Sequence, residues 1–234
     1  LLAWSVGGLM AFLLALVFAE LGSVVPSSGA LAQIPLLSHG RLSGFIGGWA
    51  VWLSYVALPA VELLALLEYL SSSLPWLTVQ HNGGEELSLA GHAVAVLLLI
   101  LLCWINLNGV RSLARWIDNL TWWKLIVPVG VAITLMLISG HWGNLRLPVG
   151  GTQGADVVQA VGSGGVLFSL LGFRTAMDLA GEARRPSRDV PLAMGLGLGI
   201  CLAIYLLLQL SFLVSVPPDQ LINGWHNLSL SAHG

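Results

Sequence analysis

Runs of about 20 apolar residues recur along the chain, each long enough to cross a ~30 Å hydrocarbon core at the 1.5 Å rise of an α-helix. With 56% of its 234 residues hydrophobic, 9% charged and a mean hydropathy of +0.87, the chain reads as an all-α polytopic membrane protein. In lipid only helices and closed barrels satisfy their own backbone. Six spans are expected, at about 1–19, 44–70, 89–107, 120–138, 157–180 and 192–216, in a single transmembrane domain over 1–234. The lipid bilayer is thus an obligatory partner.

Between the runs the punctuation is regular. Pro26, Gly29 and Pro35 are expected to break structure after the first run, and Asn108-Gly109 to close the third. The nine Lys and Arg residues fall unevenly. With alternating loops, Arg41, Arg111, Arg115, Lys124, Arg184, Arg185 and Arg188 share one side and Arg146 stands alone on the other. The first side is therefore cytoplasmic by the positive-inside rule. Trp76, Trp142 and Trp225 on the outer side, and Trp116, Trp122 and Trp123 on the inner, fit interfacial belts.

Several function classes drop out here. A net charge of −2 with scattered arginines gives no nucleic-acid footprint. Cys103 and Cys201 sit inside apolar runs and read as small core residues, and six dispersed histidines show no metal-ligand spacing. No catalytic constellation is visible, and neither an enzyme nor a cofactor is expected.

One span is unlike the others. From Val161 to Pro191 the apolar residues are interrupted by Gly162, Gly164, Gly165, Ser169 and Gly172, then by Arg174 and Asp178. Glycine weakens a helix by about 1 kcal/mol relative to alanine, and an arginine at membrane depth costs ~2.5–3.5 kcal/mol. A plain anchor would carry neither.

The string GFRTAMDLAGEARRPSRDVPLA, Gly172 to Ala193, resembles the signature of the amino acid–polyamine–organocation permeases. FAELGSVVPSSGALAQIP, Phe18 to Pro35, looks like that family's loop after helix 2, and GFIGGWAVWLSY, Gly44 to Tyr55, like the start of its helix 3. The resemblance implies a five-plus-five inverted-repeat transporter fold, with substrate at the midplane between unwound parts of helices 1 and 6. The six spans would be family helices 2 to 7. Because the chain opens on Leu1 within an apolar run and closes at Gly234, a fragment lacking helix 1 and helices 8 onward is expected.

On that resemblance Phe168, Ser169, Leu170, Leu171 and Gly172 form the unwound part of helix 6, whose freed carbonyls would take a substrate ammonium, with Phe168 packing over the substrate. By periodicity alone the same glycines serve equally as a kink or a packing face. Arg174 departs from the family pattern, which usually has an acid there; the variant is similar to aspartate/glutamate–proton symporters, and a cation would suit an acidic cargo. Arg174 and Asp178 are also four apart and can pair along one helix face.

Tyr55 is the expected polar cavity-lining group of the second run. Glu62, beyond Pro59, is the expected buried proton carrier there, while Glu68 reads as interfacial. Lys124 resembles the helix 5 lysine that replaces a coupling cation in proton-linked members, or it snorkels beside Trp122 and Trp123. Asp178 completes the proton-coupling set. Glu182, Arg184, Arg185, Arg188 and Asp189 either fix orientation or gate the inner mouth.

The expectation is a multi-pass protein of a bacterial-type inner or plasma membrane. It would carry acidic amino acids with protons by alternating access. An exchanger or a permease for neutral or cationic amino acids or amines, and a membrane sensor or binding subunit without flux, are the alternatives.

Overall fold

The computed structural model describes residues 1–81, 84–107, 110–146, 154–163 and 165–217. Its helices are α1 (Leu2–Val24), α2 (Ala30–His39), α3 (Arg41–Ser71), α4 (Leu89–Leu107), α5 (Val110–Ser139), α6 (Gly154–Gly162), α7 (Val166–Ser169), α8 (Arg174–Asp178) and α9 (Pro186–Ser215). One hairpin, β1 (Thr78–His81) with β2 (Gly84–Leu87), joins α3 to α4. Among the described residues four helical stretches are long and apolar enough to span a membrane: α1, α3, Leu120–Ser139 of α5, and α9. A bent pair, Asp156–Gly162 with Val166–Asp178, makes a fifth, and α4 adds the shorter apolar stretch Leu89–Ile105. This is an all-α polytopic membrane protein.

Contacts divide the chain into two compact units, Leu1–Ala30 with Trp122–Gly234, and Leu31–Thr121. In the first, α1 lies on α9 through a stripe of small buried residues, Gly7, Gly8, Ala11, Ala15, Ala19 and Gly22. Small side chains let helix backbones approach where lipid offers no hydrophobic drive for association. A Cβ at Gly8 would come within 2.6 Å of Leu202 on α9. Further along the pair, the Trp4 ring meets Tyr205 at a tilt, with centroids 5.0 Å apart, and its indole N–H donates to the Gln209 side-chain oxygen at 3.3 Å. The aromatic contact and the amide bond fix the register of two otherwise smooth helices.

In the second unit the same device holds α2 on α3. Gly44, Gly47 and Gly48 face Leu36, Pro35 and Ala32. Pro35, expected to break structure, therefore sits inside α2, whose packing on a glycine-rich face offsets the missing N–H. Ser88 starts α4, donating to the Trp76 carbonyl at 2.7 Å and accepting the Gly91 N–H at 2.9 Å. That is an N-cap bond to the third helical residue. The Leu77 carbonyl lies directly over Gly91 and leaves no room for a side chain there.

Boundaries moved where local sequence had suggested stops. Glu20 does not end α1, which runs on to Val24. The basic stretch before Leu120 continues α5 back to Val110, because Val110, Leu113, Ile117 and Leu120 recur at helical spacing. Asn108-Gly109 and Trp225 lie outside the described residues. Cys103 and Cys201 are exposed and not core residues.

Candidate functional site

The span expected at 157–180 is broken, and the glycines set where. α6 ends at Gly162, and α7 starts after Gly165, whose φ of +79° and ψ of +2° place it in the left-handed region. The two halves meet at 42°. A residue with a Cβ pays about 1–2 kcal/mol in that conformation, and glycine does not. Among the described residues nothing lies within 4 Å of a Cβ built on Gly165, so the demand is one of backbone alone. Gly165→Ala should therefore lower stability by about 1–2 kcal/mol without any steric clash, read as a shift in the thermal unfolding of the detergent-solubilised protein.

Between the break and α9 the chain forms only short helical turns. α7 gives way at Leu170 to a 3₁₀ turn over Leu171–Phe173, then to the five residues of α8 and a second 3₁₀ turn over Ala180–Glu182. The Ser169 N–H donates to the Gly165 carbonyl at 2.9 Å and its hydroxyl to the Val166 carbonyl at 2.8 Å. The Leu170 N–H donates to Leu167 at 3.1 Å, the tighter spacing of a 3₁₀ turn. Irregular backbone at membrane depth is tolerated only where protein or a cavity receives it. The break falls ahead of Phe168–Gly172, which itself carries the switch from α to 3₁₀ winding.

The segment has two faces. Leu170, Phe173, Met177 and Ala180 are buried, at spacings of three, four and three. Phe173 meets Phe18 of α1 edge-on at 5.9 Å, and Met177 lies against Gly22. Phe168, Gly172, Thr175 and Leu179 form the exposed face, with Phe168 67% accessible. Of the expected substrate group, Phe168, Ser169 and Gly172 are open, Leu171 is half-buried, and Leu170 at 2% accessibility belongs to the packing.

A cavity of about 360 Å³ lies between the segment and α9. Ser169, Gly172 and Ala176 line one wall, and Ala193, Gly197 and Cys201 the other. Its size is that of small-molecule pockets, which start near 300 Å³. The small residues of α9 at steps of four carried this signal in the sequence, and they read there as ordinary span residues. A larger cavity of about 440 Å³ borders the far end of α9, but its walls are almost wholly apolar apart from Asn144, Asp156 and Gln209.

Arg174 and Asp178 bound α8, and both are half-buried. The Asp178 carbonyl accepts the N–H of Gly29 at 3.0 Å, and Gly181 sits under Ser27 and Ser28. The PSSG corner after α1 thus docks on the DLAGE stretch, joining two segments that lie about 150 residues apart. Lys124 is exposed on α5 in the same unit. In the other unit Tyr55 is half-buried and Glu62 exposed on α3. In the basic loop, Pro186 opens α9 and the Asp189 carboxylate accepts the Arg185 N–H at 3.0 Å. That bond satisfies a donor at the helix start and sets an anion against its positive end. Asp189 therefore has a defined part in starting α9.

A membrane protein whose glycine-broken span is buried on one face and open on the other has the architecture of a solute permease. A family model for amino acid permeases matches residues 1–232, and the chain belongs to that family. It is 31% identical to the glutamate/serine transporter AimA of Bacillus subtilis, over 99% of this chain and 44% of that protein. To the aspartate-proton symporter of Bacillus subtilis it is 30% identical, over 95% of this chain and 42% of the symporter. It is 28% identical to human cationic amino acid transporter 4, over 97% of this chain and 36% of that protein. The chain thus spans less than half the length of these relatives. No solved structure matches it.

Proposed function

We propose that this protein carries out secondary active transport of amino acids by alternating access, with acidic amino acids as cargo and protons as the coupling ion, in a bacterial-type plasma membrane. The observation that carries the reading is the broken span, with Phe168, Ser169 and Gly172 exposed beside a cavity lined by small residues. Backbone carbonyls at the α-to-3₁₀ switch are suited to a substrate ammonium. Arg174, one turn on, supplies the charge for a second carboxylate. The names of the two Bacillus relatives, a glutamate/serine transporter and an aspartate-proton symporter, point the same way.

Uptake of labelled aspartate into cells expressing the whole protein, with unlabelled amino acids as competitors, tests the cargo. Glutamate and aspartate should compete strongly and lysine weakly. Strong competition by lysine or arginine would favour the second reading, a carrier of cationic amino acids, which the name of the human relative motivates. With Lys124 standing in for a metal cation, acid pH should raise uptake and sodium removal should leave it unchanged; sodium-dependent uptake would reject that role.

Gly172 offers a separate test. Among the described residues nothing lies within 4 Å of a Cβ built there, and its φ is not positive, so Gly172→Ala should fold and unfold like the parent. On this reading the added methyl intrudes on the substrate, and KM for aspartate should rise about tenfold. Unchanged KM and kcat would remove Gly172 from the site.

A further inference from the structure

The far end of α9 is held by a residue from the turn that follows α5. Asn144 is 5% accessible, and its side-chain amide donates to the carbonyls of Leu213 at 3.0 Å and Val216 at 2.8 Å. The His141 N–H donates to the Val214 carbonyl at 3.1 Å. A helix cannot satisfy the carbonyls of its own last turn, so these bonds supply partners that α9 lacks. They also tie that turn to the 3₁₀ segment Trp142–Arg146.

The same corner carries a matching cost. The Ser211 and Ser215 hydroxyls and the His141 Nδ1 atom are buried and have no hydrogen-bond partner among the described residues. Ser211 is 1% accessible. A buried polar atom left unpaired costs at least as much as an ordinary hydrogen bond contributes. Three clamp bonds are therefore opposed by three atoms without a partner among the described residues, over Ser211–Val216 and the residues that hold it. Such a junction is held less firmly than its three bonds alone would hold it.

We propose that this corner is a latch poised to open, with Asn144 as the positioning residue that holds the end of α9 closed. Release exposes the Leu213, Val214 and Val216 carbonyls together with Ser211, Ser215 and His141, all of which can then bond to water. The distribution of Lys and Arg puts this end of α9 outside. On the transport reading, on which the latch's purpose rests, its opening accompanies entry of substrate from that side.

The two kinds of group predict opposite effects. In the whole protein, with other cysteines replaced by serine, Leu213→Cys is labelled on intact cells by a membrane-impermeant maleimide. Adding Asn144→Ala should raise the labelling rate about tenfold or more, because two clamp bonds go. Adding Ser211→Ala should lower it about threefold, because an unpaired hydroxyl goes while the clamp stays. An unchanged or faster rate in Ser211→Ala would overturn the latch. So would an unchanged rate in Asn144→Ala, and Ser211→Ala decides alone if that variant does not reach the membrane. Aspartate uptake by the parent is measured beside it: failure there sinks the transport reading and leaves the labelling result standing.

Discussion

Arg174→Ala is expected to lower aspartate uptake by roughly 100-fold, with neutral amino acids affected far less. A charge-assisted hydrogen bond in a half-buried setting is worth about 1.5–3 kcal/mol, and one ten-fold step is 1.4 kcal/mol. Arg174→Lys should recover part of the loss, since lysine keeps the charge and loses the planar fork that grips a carboxylate. Asp178, four residues on at the other end of α8, sets the control. If Arg174 serves only to neutralise Asp178, the double variant Arg174→Ala with Asp178→Asn should transport aspartate nearly as well as the parent. If Arg174 holds the cargo, the double variant should stay as poor as Arg174→Ala. Unaltered affinity and selectivity in Arg174→Ala would remove the residue from the site altogether.

The second large effect concerns Gly181. A Cβ there would lie 2.6 Å from the Ser28 backbone nitrogen and 3.1 Å from the Ser27 carbonyl carbon. Backbone cannot swing aside as a side-chain tip can. Gly181→Ala should cost about 1–3 kcal/mol, and Gly181→Leu should prevent the PSSG corner from docking. Thermal unfolding in detergent, followed by size-exclusion chromatography, would read this as a lowered midpoint, beside an unmoved midpoint for Gly172→Ala. Gly172 and Gly181 belong to the same motif, yet one faces open space and the other a neighbouring chain segment. An equal response from the two would contradict the packing described here.

Much of this architecture was legible in the residues. Apolar run length marked the four membrane-length helices, in α1, α3, α5 and α9, since the cost of unsatisfied backbone in lipid leaves few alternatives. The interruption at 161–172 marked the broken span for the same reason. What could not be read was the rotation of each residue about its helix. Leu170 and Gly172 are neighbours in one apolar string, and only packing on α1 and α9 puts the first inside and the second in the open. The hairpin between α3 and α4, paired from Thr78↔Leu87 to His81↔Gly84, has a short-range signal in the sequence, Asn82-Gly83.

The docking of the Ser27–Gly29 corner on Asp178–Gly181, and of Asn144 on the last turn of α9, had no local signature at all. Both are bonds between backbone and distant residues, 149 positions apart for Gly29 and Asp178 and 72 for Asn144 and Val216. Neither composition nor period encodes such pairings. They emerge only when the helices are placed.

The most direct test of the transport reading is concentrative uptake by the purified whole protein in proteoliposomes. With sodium absent and the outside made acid, labelled aspartate should accumulate inside above its external concentration, and collapse of the pH gradient should release the excess. Aspartate that merely equilibrates, or that accumulates only when sodium is supplied, would contradict proton-coupled transport of acidic amino acids by this protein.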